Sequence, residues 1–143
     1  MMDRYDALKL ENQLCFPLYA ASREIIKQYR PFLDEIGITY TQYVVMMVLW
    51  ENRCISVKAL GEKLYLDSGT LTPVLKSLAD KGYITRKRCQ KDERVLIVSL
   101  TEEGKLLREK AVEIPPQMAA CVNVSKAEAE ALHRLLYKIL ERK

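Results

Sequence analysis

The chain has 143 residues, 49% of them hydrophobic and 29% charged, and a formal net charge of +4. That describes one soluble domain with enough apolar residues for a real core, and a charge too small to imply nucleic-acid binding by itself. No apolar run approaches the ~20 residues of a membrane helix, and the start MMDRYDALKLENQ is too polar for a secretory signal, so the expected compartment is the cytoplasm. Cys15, Cys54, Cys89 and Cys121 are widely spaced with no CxxC pair. In a cytoplasmic chain this argues against a disulfide framework and a zinc site, and no cofactor or metal is expected.

Residues 8–30 place Leu8, Leu14, Cys15, Leu18, Tyr19, Ser22, Ile25, Ile26 and Tyr29 at helical spacing. Pro17 inside that stretch predicts a local kink, and Pro31 with Gly37 predicts its exit. Thr39 and Gln42 form a capping-box pattern ahead of Tyr43 to Trp50, an almost wholly apolar run that reads as a helix buried on most sides. Residues 52–55 read as a connection. Ser56 then caps a short helix with Val57, Leu60 and Leu64 on one face.

Asp67 is the next N-cap, and Leu71, Val74, Leu75 and Leu78 follow at i, i+3, i+4 and i+7 until the stop at Lys81-Gly82. The opposite face presents Ser68, Thr72, Lys76 and Asp80, with Thr70 beside it. Short hydroxyl side chains there would let a helix approach bases and phosphates closely. Pro73 reads as early enough to be tolerated and to stiffen the first turn.

Ile84 to Arg88 and Val95 to Leu100 are strand-like, with residues 89–94 as the tip. Arg86, Lys87, Arg88, Lys91 and Arg94 face only Asp92 and Glu93 in this hairpin, a basic patch beside the capped helix. Thr101 starts another helix, which Pro115-Pro116 breaks or bends. Ser125 and Glu128 make a second capping box ahead of a stripe of Leu132, Leu135, Leu136, Ile139 and Leu140.

The expected fold is mostly α with a small β-wing: a winged helix-turn-helix over about residues 41–100 within a single domain spanning 1–143. The helices over about 6–36 and 102–143 have wide apolar faces that one small winged core cannot cover. Their simplest burial is against a second copy across a two-fold axis. Two reading helices about one DNA turn apart would suit a pseudo-palindromic operator.

Segments LENQLCFPLYAASREIIKQYRPFL, GITYTQYVVMMVLWE, LGEKLYLDSGTLTPVLKSL, ITRKR, DERVLIVSLTEEG and EKAVEIP resemble the MarR family of dimeric bacterial repressors, and within it the organic-hydroperoxide-responsive branch. The resemblance covers about residues 5–140. It implies a homodimer on double-stranded DNA, with an organic hydroperoxide as inducer. It places Cys15 at the peroxide-sensing cysteine. Tyr29 and Tyr40 match tyrosines that hydrogen-bond that thiol from the partner subunit, and Tyr19 looks like part of the same aromatic pocket. Ser68, Thr70, Thr72, Pro73 and Lys76 match the groove-facing side of the reading helix. Arg86 joins them from the basic hairpin. Asp92 and Arg94 match a wing-tip pair in which the arginine enters the minor groove and the aspartate holds the loop.

In that branch the sensor thiolate attacks the peroxide to give a sulfenic acid, which a second thiol traps. Leu14, Phe16, Leu18, Val44, Val45 and Met47 are candidates for an apolar lining. Some members carry a second cysteine that forms an intersubunit disulfide with the sensor, and others use a small thiol. Cys121, after IPPQMAA, suits the two-cysteine type, and both routes stay open. By itself, a free cysteine on an apolar helix stripe is most often a core residue. A MarR-type repressor with an inert Cys15 and a small aromatic ligand is therefore the alternative. A thiol peroxidase is disfavoured, because there is no nucleophile–base–orienter set and the one histidine, His133, sits on the last helix.

Overall fold

An apolar run as dense as 43–50 must be covered on most sides, and the chain builds around it. The computed structural model describes residues 3–141. Helix α2 (Tyr40–Asn52) carries the run. Val45, Met46 and Leu49 are fully buried and Tyr43 is 1% exposed. Around it pack α1 (Cys15–Ile36), strand β1 (Cys54–Ser56), α3 (Val57–Leu64), α4 (Ser68–Asp80), β3 (Leu96–Leu100) and α5 (Glu102–Ala111). Strand β2 (Ile84–Arg88) completes the sheet, and α6 (Ile114–Cys121) packs on α1. Helix α7 (Lys126–Leu140) ends the described chain.

Every expected helix cap is in place. Thr39 Oγ1 accepts the Gln42 N–H at 3.2 Å while Gln42 Oε1 accepts the Thr39 N–H at 3.0 Å. Ser56 caps Ala59 at 3.1 Å, Asp67 caps Thr70 at 2.7 Å, Thr101 caps Gly104 at 3.0 Å and Ser125 caps Glu128 at 3.1 Å. Each satisfies an N–H that the first helical turn cannot pair internally. Gly37, at φ 72°, ends α1 in the left-handed conformation that glycine adopts without strain.

Five local expectations need correction. Helix α1 starts at Cys15, not near residue 8. The preceding stretch forms two 3-10 turns, Arg4–Leu8 and Leu10–Asn12. Asn12 Nδ2 donates to the Asp6 carbonyl at 2.7 Å, and Gln13 Nε2 donates to the carbonyls of Ala7 and Lys9 at 2.7 and 2.8 Å. Side-chain amides thus compete successfully with helical bonding there. Pro17 falls in the first turn of α1, where its missing N–H costs nothing, so no kink is required of it. Pro31 lies within α1 instead of ending it. Both it and Lys27, whose carbonyl it leaves unpaired, are exposed, so water can satisfy that oxygen.

The connection over 52–55 contains β1. The sheet order is β1-β3-β2, all antiparallel, with Ile55 opposite Val98. Arg53, at φ 60°, turns the chain into it. Finally, Pro73 is the sixth residue of α4, past the first turn, and removes the bond its N–H would give to the Gly69 carbonyl.

Candidate nucleic-acid interface and thiol site

Leu71, Leu75 and Leu78 are 0–1% exposed and pin one face of α4 against the core. Ser68, Thr70, Thr72, Pro73 and Lys76 are all exposed on the other side. Thr72 Oγ1 donates to the Ser68 carbonyl at 2.7 Å, which fixes the hydroxyl and leaves its lone pairs outward. The backbone N–H and then the hydroxyl of Thr70 hold the Asp67 carboxyl below the usual carboxylate range.

Beside α4, β2 and β3 pair from Ile84 opposite Leu100 to Arg88 opposite Leu96. At the tip Asp92 Oδ1 accepts the backbone N–H of Arg94 at 3.0 Å and its Nε at 3.1 Å. The guanidinium first, and the backbone N–H second, hold the Asp92 carboxyl low. The Arg94 side chain remains 91% exposed. An ion pair this wet contributes little to stability. Its effect is geometric, folding the tip so that the guanidinium projects from it. Arg86, Lys87, Arg88 and Lys91 are exposed along the same hairpin.

The tyrosines gather at the α1–α2 corner. Ring centroids of Tyr29 and Tyr40 lie 5.0 Å apart, and Tyr43 lies 5.8 and 6.2 Å from them. Burial raises the pKa of Tyr29 and Tyr40, each helped by a neighbouring tyrosine, and pushes Tyr43 up to about 12. These hydroxyls therefore stay protonated and available as donors at neutral pH.

Cys15 stands elsewhere. It is the first residue of α1, exposed and free. Backbone N–H groups in a first turn lack intrahelical acceptors, and the helix dipole is positive there. Tyr19 follows one turn on and is 59% exposed, with the Arg23 guanidinium 5.3 Å over its ring. Tyr29 is fourteen residues along the same helix, about 21 Å at 1.5 Å per residue. No side chain spans that gap, so Cys15 can meet Tyr29 only from a second copy.

Cys121 ends α6, exposed and free, and Cys54 is exposed on β1, whereas Cys89 is half-buried. Of the expected apolar lining, Leu14, Phe16, Leu18 and Met47 are exposed and Val44 is half-buried. Val45 is fully buried in the core and cannot line an open pocket. Among the described residues no group of three or more His, Cys, Asp or Glu could hold a metal, and no helix is long and apolar enough to cross a membrane.

The family of SarA/Rot transcriptional regulators matches residues 27–111. Over 141 residues the chain is 52% identical to the organic hydroperoxide resistance transcriptional regulator of Bacillus subtilis (strain 168), covering 99% of this chain and 96% of that protein. The chain belongs to the MarR-type transcriptional regulators, in the organic hydroperoxide resistance branch. Among solved structures it resembles overoxidized AbfR bound to DNA, at 35% identity and a TM-score of 0.80, covering 97% of this chain and 98% of that one. It also resembles disulfide-formed AbfR, at 36% identity and a TM-score of 0.68, covering 96% and 97%. AbfR is a protein of Staphylococcus epidermidis.

In this MarR-type regulator two residues escaped the sequence reading of the site. Tyr43 joins the tyrosine cluster from the buried side of α2, hidden within a run that looked purely apolar. Tyr137 of α7 is near enough to Tyr40 to raise its pKa further, and the His133 ring lies 4.8 Å from that of Tyr137 at a tilt of 50°. The i, i+4 spacing of His133 and Tyr137 was visible in the chain, but nothing local linked them to Tyr40.

Proposed function

We propose that the chain is a dimeric, cytoplasmic repressor that grips a pseudo-palindromic operator while Cys15 is reduced and releases it when an organic hydroperoxide oxidises that thiol. The single observation that carries this is Cys15, exposed and free, in a chain 52% identical end to end to a regulator named for organic hydroperoxide resistance.

The geometry suits each part. Helix α4 offers Ser68, Thr70, Thr72, Pro73 and Lys76 to a major groove, while Arg86 and the projecting Arg94 reach the flanking backbone and minor groove. A second copy has obvious surfaces to cover, since Leu14 is 78% exposed, Leu132 and Leu135 are 46% exposed and Ile139 is 54% exposed. Pairing these faces brings one copy's Cys15 towards the partner's tyrosine corner, whose protonated Tyr29 and Tyr40 donate to the thiolate.

The chemistry balances. The thiolate sulfur attacks one peroxide oxygen and the O–O bond breaks. The alkoxide leaves and takes a proton as the alcohol, and Cys15 becomes a sulfenic acid. Cys121 of the other copy, or a small thiol, then displaces water to form a disulfide. Either product removes the acceptor that held Tyr29 and Tyr40. The corner shifts, and the spacing of the two α4 helices no longer matches the operator.

The test is a gel shift with and without cumene hydroperoxide. Wild type releases DNA, and Cys15→Ser stays bound. A covalent dimer on a non-reducing gel, absent in Cys121→Ser, identifies Cys121 as the trapping thiol. Release by the Cys15→Ser chain would leave only a MarR-type repressor gated by something else.

Arg94→Ala is expected to weaken binding to all sequences alike and to lower the salt slope by about one unit, as loss of one cationic contact should. Titrations at several salt concentrations read this directly. An unchanged slope means that the wing tip does not touch DNA.

A further inference from the structure

Apolar packing holds most of α4, but its far end is held differently. Gln42 is a buried polar side chain in the core, 5% exposed. Its Nε2 donates to Ser77 Oγ at 2.9 Å, and its Oε1 accepts from Lys81 Nζ at 2.9 Å as well as from the Thr39 N–H at 3.0 Å. Lys81 Nζ also donates to the Gly37 carbonyl at 2.8 Å. Ser77 and Lys81 belong to the last turn and C-cap of α4. Gln42 is in the first turn of α2, and Gly37 is the left-handed cap of α1. One ammonium group and one amide therefore bolt three helices together.

We propose that Gln42, Ser77 and Lys81 form the joint that transmits movement of the tyrosine corner to the reading helix. This rests on the repressor reading above and names the residues that carry its switch. Tyr40 shares the first turn of α2 with Gln42, so a shift of that turn at Tyr40 carries the Gln42 amide with it. An apolar contact can slide under such a shift. A buried amide resists it, because loss of the bond to Ser77 would leave Gln42 Nε2 desolvated and unpaired. The strain passes to Ser77 and Lys81 and tilts α4 from its C-terminal end. Ser68 lies nine residues from Ser77, about 14 Å along the axis, so a small tilt at the joint is largest at the reading end.

These are positioning residues and touch neither peroxide nor DNA. The test uses Lys81→Met, which keeps the stem and removes the donors, and Ser77→Ala, a minimal change that tests the joint even if the first variant folds poorly. Lys81→Arg restores a cation. Each full-length chain is assayed for Cys15 thiol loss with cumene hydroperoxide, and for affinity to an operator duplex selected by wild type, reduced and oxidised.

The expected result is thiol loss at the wild-type rate in all variants. The ratio of reduced to oxidised affinity shrinks about fivefold or more in Lys81→Met and Ser77→Ala, with partial recovery in Lys81→Arg. A cap that only stabilised the fold would lower the melting temperature and leave that ratio intact, and such an outcome overturns the joint. If wild type itself keeps its operator once Cys15 is oxidised, the repressor reading fails, and the joint with it. The wild-type control tells the two failures apart.

Discussion

A chain carrying Leu132→Glu and Leu135→Glu is expected to run as a monomer and to lose its operator. Both leucines are 46% exposed on α7, in a helix that buries none of its residues within the chain. Full burial of one leucine contributes about 1.5–3 kcal/mol, and across a two-fold axis each side chain counts twice. The double variant removes four such side chains per dimer and puts four carboxylates into an apolar interface, where each carries a desolvation cost. A monomer has one reading helix and no second half-site to raise its effective concentration. Affinity should fall by about a hundredfold or more. Sedimentation and gel shift measure the two effects separately. The circular dichroism spectrum should hardly change, since the substituted positions support no core within one chain. A variant that stays dimeric would move the interface away from α7.

The second large effect falls on stability. Gly104 is buried in the first turn of α5, against the corner where β3 enters that helix. A Cβ there would press into the backbone carbonyl oxygen of Tyr83 and lie 2.7 Å from Leu100 Cδ1. That carbonyl is not free to swing, because it accepts the Thr101 N–H at 3.1 Å. The Gly104 carbonyl in turn accepts the Trp50 indole N–H at 2.9 Å, so lifting α5 away also breaks a bond to the central helix. Gly104→Ala gains about 1 kcal/mol of helix propensity. Overpacking against fixed backbone costs more, and the net loss should be about 2 kcal/mol. With an m-value of about 2 kcal/mol/M, the urea midpoint drops by about 1 M. Gly69→Ala is the control: its Cβ would meet only Asp67 Oδ1 at 3.4 Å, and its midpoint should hold or rise slightly. Equal midpoints for the two variants would mean that α5 sits more loosely on the core than these contacts imply.

The site was legible in the chain to different depths. The reading helix could be traced because its two faces differ in every turn, Leu71, Leu75 and Leu78 against Ser68, Thr72 and Lys76, and because Asp67 and Gly82 mark its ends chemically. The wing was legible too, since two strand-like runs around a charged tip are local signals. The tyrosine corner was not. A site role for Tyr29 and Tyr40 came through a family likeness alone, and Tyr43 looked only like core.

What the residue order decided unaided is whatever obeys short-range rules: the capped helix starts at Ser56, Asp67, Thr101 and Ser125, the 84–100 hairpin, and the apolar faces left without a partner. Tertiary structure alone decided the rest. β1 exists only because Ile55 finds Val98 more than forty positions away. Pro31 remains helical only because its freed carbonyl partner is exposed. Gln42, Ser77 and Lys81 become one bonded group only once α2 and α4 are packed. Caps and periodicities extend over one or two turns, whereas strand partners, solvent access and buried polar networks depend on which distant segments share the same space.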